Sequence, residues 1–117
     1  MSPSHNDALE DSAPIFAALG DATRLHVVAS LARGGPMSIT QLTEGSDVTR
    51  QAVTKHLNVL ADAGLVVDFK RGRERVWELR KQQLEQAGKI LDEISQRWDD
   101  AIGRLKALVE GSEGAPP

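Results

Sequence analysis

Residues 49–64 read Thr-Arg-Gln-Ala-Val-Thr-Lys-His-Leu-Asn-Val-Leu-Ala-Asp-Ala-Gly. Projected as a helix at about 100° per residue, Ala52, Val53, His56, Leu57, Val59, Leu60 and Ala63 share one side. Arg50, Gln51, Thr54, Lys55 and Asn58 share the other, and no carboxylate appears there before Asp62. A face of hydrogen-bond donors and short polar groups is the chemistry needed to read base edges in a DNA major groove. On an isolated helix the same face would be an ordinary solvated surface, so the flanking segments decide between the two. His56 lies in the middle of the apolar arc and reads as a hydrogen-bonded core histidine rather than a ligand.

Upstream, Thr49 is placed to cap this helix and Gly45-Ser46-Asp47 to turn the chain into it. Ser38 and Gln41 form a capping-box pattern for a short preceding helix with Ile39 and Leu42 inward. Gly34-Gly35-Pro36 stops an earlier helix that Asp21 caps, with Leu25, Val28, Ala29 and Ala32 at helical spacing. Before it, a short helix is expected from about Ser12 to Leu19, with Pro14 in its first turn and Ile15, Phe16 and Leu19 buried. Two short helices joined by a tight turn, the second polar on its outer face, make a helix-turn-helix.

Downstream, Gly64 suits a left-handed helix end, and the period then changes to two. Leu65, Val67 and Phe69 alternate on one strand, and Arg75, Trp77 and Leu79 on a second. Lys70-Arg71-Gly72-Arg73-Glu74 turns between them. Charge on such a hairpin can serve only to protect an edge strand. Directly after a helix-turn-helix it reads instead as a wing, with Arg71 and Arg73 reaching the DNA backbone or minor groove and Arg75 behind them.

From Lys81 to Val109 the chain predicts one helix of roughly 42 Å at 1.5 Å per residue. Leu84, Ala87, Leu91, Ile94, Trp98, Ala101, Leu105 and Leu108 follow alternating three- and four-residue steps, widened by Ile90, Ile102 and Val109. The first helix can cover part of this seam. The rest calls for a second copy of the chain, with Phe16, Leu84, Ala87, Leu91, Ile94, Trp98 and Leu105 as the expected dimer contacts. Gly88 and Gly103 mark either weak points or places of close backbone approach.

The expected fold is therefore mainly α with a small β-hairpin, a winged helix-turn-helix dimerising through its last and first helices. Residues 1–11 are expected to be a flexible arm, 12–110 the folded domain and 111–117 a disordered tail. At 117 residues the chain is one domain by length. It has no cysteine, so disulfides, thiolate metal sites and thiol switches are excluded. No apolar run approaches a membrane span and no secretory pattern opens the chain, so no membrane partner and a cytoplasmic location are expected.

The net charge of −3 is unevenly distributed. Residues 1–48 carry −4, residues 49–81 carry +4 and residues 82–117 carry −3. Screening over ~8 Å at physiological salt means a phosphate feels the local patch and not the sum.

Three segments together are specific: Phe16-Ala-Ala-Leu-Gly-Asp-Ala-Thr-Arg-Leu25, Gln51-Ala-Val-Thr-Lys-His-Leu-Asn-Val-Leu-Ala-Asp-Ala-Gly-Leu-Val66 and Phe69-Lys-Arg-Gly-Arg-Glu-Arg-Val-Trp-Glu-Leu79. In this order the chain resembles the ArsR (SmtB-like) family of winged-helix transcriptional repressors over about residues 13 to 109. The resemblance implies a homodimer that binds an inverted-repeat double-stranded DNA operator. It assigns Thr49, Arg50, Gln51, Thr54 and Lys55 to the recognition surface, and Arg71, Arg73 and Arg75 to the wing.

The chain departs from the family's metal sensors. Pro36-Met37-Ser38-Ile39-Thr40 stands where thiolate sensors carry cysteines, and the terminal helix has Asp92, Glu93, Asp99 and Asp100 but no histidine. His5, His26 and His56 lie on separate segments, so neither metal nor cofactor is expected. A small-molecule effector is not identifiable from the sequence.

Catalysis finds no nucleophile, acid–base pair or metal constellation, and the adjacent Asp99 and Asp100 point about 100° apart on a helix. A protein-binding winged helix would need an aromatic or leucine anchor on the face that carries Arg50, Gln51, Thr54 and Lys55. A repressor or activator sensing an organic ligand near Trp98 is the other alternative.

Overall fold

The computed structural model describes residues 5–113. In chain order they form α1 (His5–Leu19), α2 (Ala22–Gly34), β1 (Met37–Ser38), α3 (Ile39–Thr43), α4 (Arg50–Asp62), β2 (Val66–Arg71), β3 (Glu74–Leu79) and α5 (Lys81–Glu113). The helix starts follow from side chains that take up backbone N–H groups left free at the first turn. Asp21 accepts from the Arg24 N–H at 3.0 Å, and Thr49 accepts from the Ala52 N–H at 3.1 Å. Ser38 and Gln41 complete the reciprocal capping box of α3. Gly64, at φ +79°, follows the end of α4, and the Leu65 N–H returns to the Leu60 carbonyl at 2.9 Å. Such an ending needs the left-handed region that glycine enters without strain.

The core of the winged-helix unit, which ends at Ala87, joins Ile15 and Ala18 of α1, Val27, Val28 and Leu31 of α2, and Val53, Leu57 and Leu60 of α4. Leu65, Val66, Trp77 and Ala87 complete it. Removing these apolar side chains from water contributes ~1.5–3 kcal/mol for each large aliphatic or aromatic residue. Ser12 and Trp77 place a hydroxyl and an indole N–H in this interior without a hydrogen-bond partner among the described residues.

Several expectations are corrected. α1 begins at His5, well before Ser12, and Pro14 lies inside it rather than in its first turn. The inward stripe runs Ala8, Ser12, Ile15 and Ala18, with Phe16 and Leu19 half-buried rather than buried, and its early members are too small or polar to register as an apolar period. The expected arm, residues 1–11, is thus helical from residue 5, and residues 1–4 lie outside the described residues. Of the expected tail, residues 111–113 end α5, and residues 114–117 also lie outside. On α2 the buried face is Val27, Val28 and Leu31, with Leu25 exposed, because the half-buried Arg24 occupies the stripe one turn earlier.

The hairpin is part of a three-stranded antiparallel sheet in the order β1-β3-β2. β1 pairs Met37 with Trp77 and Ser38 with Val76, covering the second edge of β3. A two-residue strand has no period to reveal it. The expected alternation of Leu65, Val67 and Phe69 breaks: Leu65, just before β2, and Val66 are both buried, while Val67 and Phe69 are exposed.

The remainder of α5, from Gly88, forms a separate unit. Its Leu91, Ile94, Trp98, Ile102, Leu105 and Leu108 are all exposed. From Leu91 to Leu108 this stripe runs ~26 Å at the helical rise. Among the described residues no side chain approaches the Cβ position of Gly88 or Gly103 within 4 Å. Among the described residues no single helix is long and apolar enough to cross a membrane.

Candidate nucleic-acid interface

α4 buries Val53, Leu57 and Leu60 and leaves Arg50, Gln51, Lys55 and Asn58 exposed, with Thr54 half-buried between them. Its 13 residues span ~20 Å, enough to lie along a major groove. Thr49 stands at the cap with its hydroxyl already accepting a backbone N–H, which fixes where the first turn begins. Thr54 donates its hydroxyl to the Arg50 carbonyl at 2.8 Å, leaving the oxygen free to accept from a base or phosphate-bound donor. Arg50 and Gln51 sit on the first turn, where a recognition helix meets base edges. They suit guanine and adenine respectively, because guanidinium and carboxamide can each form paired hydrogen bonds to those bases.

Arg50 also donates to the Thr40 hydroxyl on α3 at 3.3 Å. Thr40 was not singled out by sequence reasoning. The only signal for it is a ten-residue spacing across the turn, which carries no period.

The wing tip turns at Gly72, with φ +66°. Arg71 pairs with Glu74 across the hairpin, and its guanidinium lies 5.8 Å from the Phe69 ring centroid. Arg73 stands exposed at the turn itself. Arg75 is placed differently: its Nε donates to Asp68 at 2.6 Å and its guanidinium covers Trp77 at 4.9 Å. Asp68 neutralises part of its charge, so the free cationic density of the wing belongs to Arg71 and Arg73, with Lys70 beside them.

A second polar cluster lies behind the recognition face. Arg24 of α2 donates through Nε to the Ala18 carbonyl at the end of α1. Its Nη1 lies 3.4 Å from Nδ1 of His56 on α4. The Asp21 carboxylate is 3.8 Å from the same ring nitrogen. Hydrogen bonding from the Arg24 backbone N–H, with the Arg24 charge adding to it, holds the Asp21 carboxyl below the usual carboxylate range. The expected core histidine is thus hydrogen-bonded and half-buried. Its partners, 32 and 35 positions upstream, have no local sequence signal.

The expected dimer contacts divide. Ala87 belongs to the chain's own core, and Leu84 and Phe16 pack against it. Ala87 is therefore withdrawn from the dimer set, because its small side chain is consumed where α5 enters the domain. Leu91, Ile94, Trp98 and Leu105 remain exposed. Among the described residues no group of three or more His, Cys, Asp or Glu side chains could hold a metal ion.

Known proteins share this arrangement. A family profile described as a helix-turn-helix domain matches residues 19–68. The chain is 37% identical over 97 residues to the HTH-type transcriptional regulator Rv2034 of Mycobacterium tuberculosis, covering 83% of this chain and 86% of that one. It is 32% identical over 95 residues to the arsenical resistance operon repressor of Escherichia coli, covering 81% and 79%. An ArsR-like transcriptional regulator from Rhodococcus sp. RHA1 superposes with a TM-score of 0.72 at 34% identity, covering 86% of this chain and 93% of its own. With a capped helix α4 whose polar face carries no carboxylate before Asp62, a cationic wing and these relatives, the chain belongs to the ArsR (SmtB-like) family of winged helix-turn-helix proteins and is a DNA-binding transcriptional regulator.

Proposed function

We propose that this regulator is a homodimeric repressor or autorepressor of the cytoplasm that binds an inverted-repeat operator. Thr49, Arg50, Gln51, Thr54 and Lys55 enter the major groove, and Arg71 and Arg73 follow the backbone at the wing, with Arg75 in support. The folded domain runs from α1 through α5. The observation that carries the dimer is the exposed run of Leu91, Ile94, Trp98, Leu105 and Leu108 on one helix. A contiguous apolar stripe of this length marks an interaction surface, and closed two-fold pairing is the commonest way a single chain covers one. Two-fold pairing in turn calls for an inverted-repeat site, since protein symmetry is mirrored in the DNA. Repression is supported by the E. coli relative, which is an operon repressor by name.

The test is selection of bound sequences from a random duplex pool with the purified chain. A two-fold symmetric consensus, with half-sites about 10 bp apart, is the expected result. A single unrepeated half-site, or no enrichment over the input pool, refutes the homodimeric reading.

A further inference from the structure

We infer that Arg24 and His56 form a latch that sets the rotational position of the recognition helix, making both of them positioning residues for operator specificity. The inference rests on the reading of Arg50 and Gln51 as base-contacting groups. Apart from the exposed Arg50–Thr40 hydrogen bond at its first turn, α4 is held by Val53, Leu57 and Leu60, whose burial is non-directional and tolerates small rotations of the helix about its axis. A hydrogen bond is directional and weakens steeply with misalignment. The Arg24 guanidinium is anchored through Nε to the Ala18 carbonyl, and the Arg24 backbone N–H is held by the Asp21 cap. Its reach to His56 Nδ1 at 3.4 Å therefore refers α4 to the fixed corner between α1 and α2.

Small rotations matter because of where the reading groups sit. Side-chain tips on a helix of ~10–12 Å diameter lie roughly 6 Å from the axis, so a 10° turn moves them by about 1 Å. That displacement separates a 2.9 Å hydrogen bond to a base from none. Phosphate contacts through flexible Lys55 or wing arginines absorb the same shift. Losing the latch should then lower specific binding while leaving non-specific binding intact.

The chemistry also fixes a tautomer. Guanidinium has no acceptor, so Nδ1 of His56 accepts from Arg24, and the ring proton resides on Nε2. Asp21, 3.8 Å from Nδ1, stays outside hydrogen-bond range in this arrangement.

The experiment compares affinity for the selected operator and for a scrambled duplex of equal length, using the full chain. The variants are His56→Leu, His56→Gln and Arg24→Met, with Gln51→Ala and Arg50→Ala as controls for base reading. His56→Leu and Arg24→Met should each lower the operator-to-scrambled ratio at least tenfold with scrambled affinity within twofold of wild type. His56→Gln, which keeps an acceptor, should stay within threefold. The double variant His56→Leu with Arg24→Met should lose no more than either single variant, because each breaks the same contact. Nitrogen-15 spectra of the wild-type ring above the imidazole titration range should show a bare Nδ1.

A ratio unchanged in both single variants, equal loss on both duplexes, losses that multiply in the double variant, or a protonated Nδ1 overturns the latch. The spectrum keeps the test decisive if a variant fails to fold. If Gln51→Ala and Arg50→Ala leave the ratio unchanged, the base-reading assignment itself fails, and that outcome is separable from failure of the latch alone.

Discussion

Replacing Trp98 with alanine should weaken self-association by about two orders of magnitude. Trp98 is 66% exposed in the single chain. A buried aromatic side chain removes roughly 150–250 Å² from water, so about 130 Å² remains here for a partner to cover. At ~25 cal/mol per Å² that is ~3 kcal/mol per protomer, or ~6 kcal/mol in a two-fold pair. Interfaces cover such a ring incompletely, and alanine retains some contact. About half of the gross value, ~3 kcal/mol, is a fair net loss, equivalent to a ~150-fold rise in the dimer dissociation constant.

Sedimentation equilibrium measures this constant directly. Fluorescence provides an independent reading, because Trp77 is 1% exposed and its emission should not change on dilution, while Trp98 should shift to the red as dimers separate. Operator binding should fall in parallel and become concentration-dependent. A Trp98→Ala protein whose dimer constant stays within threefold of wild type would refute the assignment of the α5 stripe as the interface.

Other consequences follow from individual side chains. Arg50→Ala or Gln51→Ala should relax base preference at one operator position at a cost of ~1–3 kcal/mol. Arg73→Ala should weaken all duplexes alike and reduce the salt slope by about one, and gel-shift titrations across salt separate the two behaviours. Because folding holds the Asp21 carboxyl below the usual range, it contributes stability above the unfolded-state carboxylate value that is lost as pH falls through the lowered one. Asp21→Asn keeps a capping acceptor and should flatten that acid limb in denaturation curves, and an unchanged limb would count against the cap. Ser12→Ala removes a buried hydroxyl with no partner and should raise stability by ~1 kcal/mol in urea titrations. Gly88→Ala meets open space around its new Cβ and should stabilise α5 by ~1 kcal/mol, read as helical signal on heating.

Much of the helix-turn-helix was legible because its determinants are local. Caps lie within three residues of the N–H groups they bind, as with Asp21, Ser38 and Thr49. Helix and strand periods are read over a turn or two, and the required left-handed positions declare themselves as glycine at Gly64 and Gly72. The recognition face is legible for the same reason, since one helix places Arg50, Gln51, Thr54, Lys55 and Asn58 together with no help from the rest of the chain. What was misread shares the opposite property. The inward face of α2 was assigned to the wrong apolar residues because Arg24, polar by type, is half-buried through partners on α1 and α4. The start of α1 was placed late because its stripe runs through Ala8 and Ser12.

Local sequence settles the order of the helices and of the two hairpin strands, the cationic window at residues 49–81 and the apolar period of the last helix, since each depends on near neighbours and backbone geometry. Packing of the whole chain is what reveals that β1 closes the sheet, that Arg75 is held by Asp68, that Ala87 is consumed in the chain's own core and that His56 meets Arg24. These are contacts between segments distant along the chain. Their geometry follows from how the helices and sheet pack, and no local pattern encodes it.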